Sequence, residues 1–122
     1  MQGTRVLIVE DELVIAMELE SLLKELGCVP LDPASTIPKA LRALERDRPD
    51  VAVLDVNVSG ERITPVAEAL RERGIPFLLV SGYGTERLRD GPLQGATHVR
   101  KPVEAHRLAR ALAEVLARRE RD

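Results

Sequence analysis

The sequence predicts an α/β fold: a doubly wound parallel sheet of five strands in the order 2-1-3-4-5, with helices on both faces. Strand and helix signals alternate from end to end, so successive strands must be joined by crossovers and run parallel. The strand runs Val6-Leu7-Ile8-Val9 and Val51-Ala52-Val53-Leu54 are short and continuously apolar, as in strands covered on both faces. Residues able to do chemistry follow the carboxyl ends of these runs, where open α/β sheets place their sites.

Val6 to Val9 is the first strand. Glu12 to Leu26 is a helix, with Ile15, Ala16, Leu19, Leu22, Leu23 and Leu26 at helical spacing and Gly27 placed to stop it. Val29 to Leu31 is a weak strand touched by Pro30 and followed by Pro33. Proline inside a sheet is tolerated mainly at an edge, and this puts the second strand at the rim and gives the strand order. Thr36 caps a second helix carrying Ile37, Leu41 and Leu44, and Pro38 fits because it lies in the first turn. Val51 to Leu54 is the central strand, followed by a polar, glycine-containing loop, Val56 to Glu61. Ile63, Val66, Ala67 and Leu70 mark a third helix, closed by Gly74. Pro76 to Val80 and Ala96 to Val99 are the last two strands. Between them, residues 82 to 95 hold four glycines and Pro92, so the fourth helix is short or irregular, at most a turn or two near Thr85 to Arg89. Leu108, Leu112, Val115 and Leu116 stripe the final helix.

A chain of 122 residues with 44% apolar content makes one domain, 1–122. Lys and Arg number 18 against 20 acids, a net charge of −2. That balance gives no electrostatic case for binding nucleic acid or a membrane. Arg118, Arg119 and Arg121 are interleaved with Glu120 and Asp122 and read as a solvated helix end. The single cysteine, Cys28, excludes an internal disulfide and reads as a small buried apolar group. With no signal peptide and no membrane-length apolar stretch, the expectation is a soluble cytoplasmic protein.

Asp55 ends the central strand. Glu10 and Asp11 follow the first strand, and Lys101 with Pro102 follows the fifth. Three acids and a lysine converging on one sheet edge suit a divalent cation and a phosphoryl group. Two carboxylates about 4 Å apart repel by roughly 4 kcal/mol at an effective dielectric of 20, so such a cluster wants a cation.

Val9-Glu10-Asp11-Glu12, Leu54-Asp55-Val56-Asn57, Val80-Ser81-Gly82 and Lys101-Pro102, each after its own strand, resemble the receiver domain of two-component response regulators. The resemblance covers essentially the whole chain. The wording from Leu54 to Glu61, with Ser81-Gly82-Tyr83-Gly84, is similar to stand-alone receivers lacking an output domain. The resemblance implies a flavodoxin-like (βα)5 fold and an Mg²⁺-dependent phosphoacceptor, Asp55. It implies that Glu10, Asp11, Asp55 and the Asn57 backbone carbonyl hold Mg²⁺, and that Lys101 and the Ser81 hydroxyl meet the phosphoryl group. The implied donor is a phosphohistidine on a sensor histidine kinase or a histidine phosphotransfer protein. The output is contact with a downstream protein, or service as a phosphoryl sink or shuttle. Homodimerisation stays open. The protein is expected to catalyse only its own phosphorylation and dephosphorylation.

Two departures stand out. His98 occupies a position where the family usually has an aromatic switch residue, and a satisfied, half-buried histidine is the competing reading. The glycine-rich 82–95 segment falls where the family has its main output face. Tyr83, two residues beyond Ser81, is expected to border the site and tune access of water. A receiver cut from a longer regulator and a phosphorylation-independent interaction module remain alternatives. A phosphohydrolase of the haloacid-dehalogenase type would need an acid where Asn57 stands. An FMN-binding flavodoxin would need Ser, Thr and Gly where Glu10-Asp11-Glu12 would repel phosphate.

Overall fold

The computed structural model describes residues 1–82 and 91–121. Its strands are β1 (Arg5–Val9), β2 (Val29–Pro30), β3 (Val51–Asp55), the short pair β4 (Asn57–Val58) and β5 (Glu61–Arg62), β6 (Phe77–Ser81) and β7 (Thr97–Arg100). Its helices are α1 (Leu13–Glu25), α2 (Ile37–Arg46), α3 (Thr64–Glu72) and α4 (Ala105–Arg121). A 3₁₀ turn, Gly91–Leu93, lies in the glycine-rich segment; the expected turns at Thr85 to Arg89 lie outside the described residues.

β2, β1, β3, β6 and β7 form the parallel sheet in that spatial order, which is the expected 2-1-3-4-5 once the β4–β5 pair is set aside. The register is continuous: Val9 opposes Leu54, Asp55 opposes Val80, and Ser81 opposes Arg100. The two-residue β2 with Pro30 is at the rim, where a missing N–H is tolerated.

The apolar strands supply both halves of the core because successive side chains point to opposite faces. Leu7, Val9, Ala52, Leu54, Phe77 and Leu79 pack with Ile37, Ala40 and Leu44 of α2 and Val66, Ala67 and Leu70 of α3. Val6, Ile8, Val51, Val53, Leu78, Val80 and Val99 pack with Leu19 and Leu23 of α1 and Leu108, Leu112 and Val115 of α4. Cys28 sits in this second cluster. No helix among the described residues is long and apolar enough to cross a membrane.

The helix ends follow local chemistry. Gly27 and Gly74 take φ of +88° and +68° just past α1 and α3, the left-handed geometry glycine adopts at no steric cost. Thr36 Oγ1 accepts the Lys39 N–H at 3.2 Å as the cap of α2. β6 and β7 each begin and end one residue later than the apolar runs suggest. The polar loop expected after β3 is a hairpin instead. Val56 and Val58 are buried under it, and Ser59 and Gly60 turn it with φ of +51° and +79°. Two positive φ values in a two-residue hairpin mark the turn type that matches strand twist.

Thr36→Ala is expected to lower unfolding free energy by about 1 kcal/mol, read as a lower urea midpoint with unchanged slope.

Candidate functional site

The sheet register delivers the site. Glu10 lies one residue beyond Val9, and Asp55 one residue beyond its partner Leu54, so the two acids leave neighbouring strands at one level. Asp11 follows at the entry to α1. Ser81 ends β6, one residue past Val80, the partner of Asp55. Lys101 follows β7, and its N–H donates to the Ser81 carbonyl at 2.9 Å. Carboxylate oxygens of Glu10, Asp11 and Asp55 all lie within 4.8 Å of one another.

Glu10 is only 2% exposed. Its Oε2 accepts the Glu12 N–H at 3.1 Å. Its Oε1 lies 3.0 Å from Lys101 Nζ as an ion pair, without the alignment of a hydrogen bond. The same Nζ donates to Asp55 Oδ2 at 3.2 Å. Burial pushes the Glu10 carboxyl up to about 7, against the pull of the Glu12 N–H and Lys101 and with help from the Asp55 charge. Burial alone would lower the Lys101 pKa, but Glu10 and Asp55 outweigh it and hold the ammonium above its ordinary value. Burial likewise works against ionised Asp11, but the Ser59 N–H and Glu10 outweigh it and pull that carboxyl down.

The hairpin is part of the site, and sequence reasoning missed it. Ser59 N–H donates to Asp11 Oδ2 at 2.9 Å, and Ser59 Oγ donates to the Ser35 carbonyl at 2.9 Å. The Ser59-Gly60 dipeptide was the available signal, since such pairs punctuate turns. Asn57 lies beside Asp55, its N–H 3.4 Å from Asp55 Oδ1. The Ser81 hydroxyl is buried and hydrogen-bonded to His98 Nε2. His98 is half-buried. Tyr83 lies outside the described residues. His106, by contrast, is exposed on α4 and 3.7 Å from Glu104.

Chemically, the site offers three carboxylates against one ammonium, one of those carboxylates at a strand end, and a buried hydroxyl on the next strand. It has oxygen donors for a hard cation and a positive group for an anion.

A family model described as the response regulator receiver domain matches residues 6–113. The chain is similar to the sensory transduction protein RegX3 of Mycolicibacterium smegmatis, 33% identical over 118 residues, covering 94% of this chain and 51% of that protein. It spans about half the length of the curated relatives it matches. The solution structure of SdrG from Sphingomonas melonis Fr1 is 42% identical, with a TM-score of 0.83, covering 93% of this chain and 97% of that one. The BeF3-activated conformation of SdrG, from Pseudomonas melonis Fr1, is 40% identical with a TM-score of 0.79, over 94% and 98% of the two chains.

Three carboxylates crowd round one ammonium, so without metal Asp55→Asn is expected to raise the melting temperature by a few degrees, read by calorimetry in chelator. The Glu10 shift sets a pH dependence. Its folded pKa of about 7 exceeds the ordinary 4.5, so the folded state binds the extra proton between those values. Stability from this group is full below 4.5 and is lost as pH rises through 7. Metal-free melting temperatures should fall across that window in the wild type and flatten in Glu10→Gln.

Proposed function

The chain belongs to the response regulator receiver domain family, and from that premise we propose that Asp55 is its phosphoacceptor, served by a phosphohistidine donor. The observation that carries this reading is the position of Asp55, at the carboxyl end of the central strand within reach of Lys101 and beside Glu10 and Asp11. An Asp55 carboxylate oxygen attacks phosphorus and forms a P–O bond while the P–N bond of the phosphohistidine breaks. The electron pair stays on that ring nitrogen, and a ring protonated on its other nitrogen leaves as neutral imidazole. The product is an acyl phosphate. Lys101 Nζ, already shared between Glu10 and Asp55, is a cation available to the phosphoryl oxygens.

Mg²⁺ fits the donor set. The cluster is all oxygen, carries excess negative charge, and supplies few enough ligands to leave several waters in place. Glu10, Asp11 and Asp55 would hold it, with the Asn57 carbonyl as a further oxygen. When bound, the ion supplies charge neutralisation for the transferring phosphoryl group. We assign the protein no external substrate to turn over: the phosphoryl group stays on Asp55 until water or a partner removes it.

A docking face for the donor adjoins the site. Leu13, Val14 and Met17 of α1 are 74%, 67% and 55% exposed. Val14 and Met17 line a groove with Leu22 and Val103, two residues after Lys101. Apolar side chains left in water beside a reactive carboxylate suit a helical partner that brings its phosphohistidine to Asp55.

Acetyl phosphate with Mg²⁺ is expected to leave one phosphoryl group on the wild type by intact mass, and none on Asp55→Asn or in chelator; an adduct on Asp55→Asn would overturn the assignment. Mg²⁺ should raise the wild-type melting temperature by mass action. Met17→Asp should slow transfer from a phosphohistidine protein by about tenfold or more, as for loss of an interface anchor, while labelling by acetyl phosphate stays at the wild-type rate.

A further inference from the structure

Ser81 and His98 form a pair that the phosphoryl chemistry cannot leave unchanged. Ser81 ends β6, its Oγ buried and bonded to His98 Nε2. His98 lies on β7 opposite Leu79, so the two sit on one face of adjacent strands, two residues apart in register. A serine hydroxyl has one proton to give and two lone pairs to offer. A bare Nε2 takes that one proton. The oxygen then presents only lone pairs to anything arriving at Asp55 on the next strand, and a phosphoryl oxygen is itself an acceptor. A protonated Nε2 reverses the bond: the ring donates to Oγ, and the hydroxyl proton is free to point into the site.

We propose that His98 is a positioning residue that acts through Ser81. The form of its Nε2 decides whether the Ser81 hydroxyl can donate to the phosphoryl group on Asp55, and phosphorylation in turn drives a proton onto Nε2. The proton reaches Nε2 by tautomer exchange, which leaves Nδ1 bare, or by uptake from water, which gives an imidazolium. Both routes end with Nε2–H donating to Oγ. Because the linkage is reciprocal, whatever stabilises Nε2–H also favours the phosphorylated or beryllofluoride-bound state over the free one. This is a proton-inventory device, and an aromatic residue at position 98 could not provide it. It deepens the phosphoacceptor reading and rests on it.

The test is a nitrogen-15 spectrum of the imidazole in the full chain with Mg²⁺, before and after addition of beryllofluoride, with intact mass after acetyl phosphate run in parallel. The expected result is an Nε2 that is bare in the free protein and protonated in the beryllofluoride-bound one. In Ser81→Ala the same addition should leave Nε2 as it was. His98→Phe, which has no acceptor, should release the hydroxyl and tighten beryllofluoride binding by roughly fivefold, about the worth of one hydrogen bond. His98→Gln, whose amide can donate to Oγ, should also tighten it. An Nε2 that keeps one form in both states, while mass shows the phosphoryl adduct, would overturn the proposal and leave the receiver reading intact. No adduct and no beryllofluoride response in the wild type would remove both. The wild-type spectrum decides the matter even if the variants fold poorly.

Discussion

One ammonium answers for two carboxylates at the end of this sheet, and the rest of the site is arranged around that shortage. Lys101 Nζ lies 3.0 Å from Glu10 and 3.2 Å from Asp55, while Asp11, in the same cluster, accepts the Ser59 backbone N–H. Burying Glu10 there is unfavourable unless something neutralises it, and the carboxyl responds by holding its proton to about 7. A charge deficit of this kind is not a stability device. Replacing buried ion pairs with apolar groups is often neutral or stabilising. It makes sense as a poised binding place, one whose energy improves when a cation arrives and whose lysine gains an additional anion once the acceptor is modified.

The framework that holds these charges is a partition. Even residues of β1 and β6 face α1 and α4 and odd ones face α2 and α3, while β3 between them has the opposite parity, as its register with both neighbours requires. The site loops issue from the end of that partition and draw on both sides: Lys101 is followed by Val103, which packs with the α1 and α4 cluster, whereas Val56, Val58 and Ile63 of the hairpin region belong to the α2 and α3 cluster. Asp55 therefore stands where two separately packed halves meet.

Much of this was legible in the residues. Continuous apolar runs gave the strands, Pro30 gave the rim, and Gly27, Thr36 and Gly74 gave helix ends, because each acts through a local rule. Glu10, Asp11, Asp55 and Lys101 were legible as a group because each follows a strand and parallel strands end together. What was not legible depends on register or on the third dimension. The hairpin was read as polar loop since Asn57, Ser59, Gly60 and Glu61 outnumber the two valines, although those valines alternate as a strand should. The pairing of Glu10 with Lys101 requires knowing that Glu10 is buried. The bond between Ser81 and His98 requires the offset of β6 against β7, which no composition or periodicity carries.

Ser59 is the described residue other than glycine with a positive φ, and its two hydrogen bonds reach two other loops, after β1 and after β2. Three connections that look independent along the chain are thus tied by one residue. For anyone wishing to splice a reporter or an extra module into this scaffold, those three loops form a single knot, and lengthening any of them unties the other two. The turn from Asp47 to Asp50, at the opposite end of the sheet and bonded mainly to Arg5, is the place where chain could be added without reaching the carboxylates.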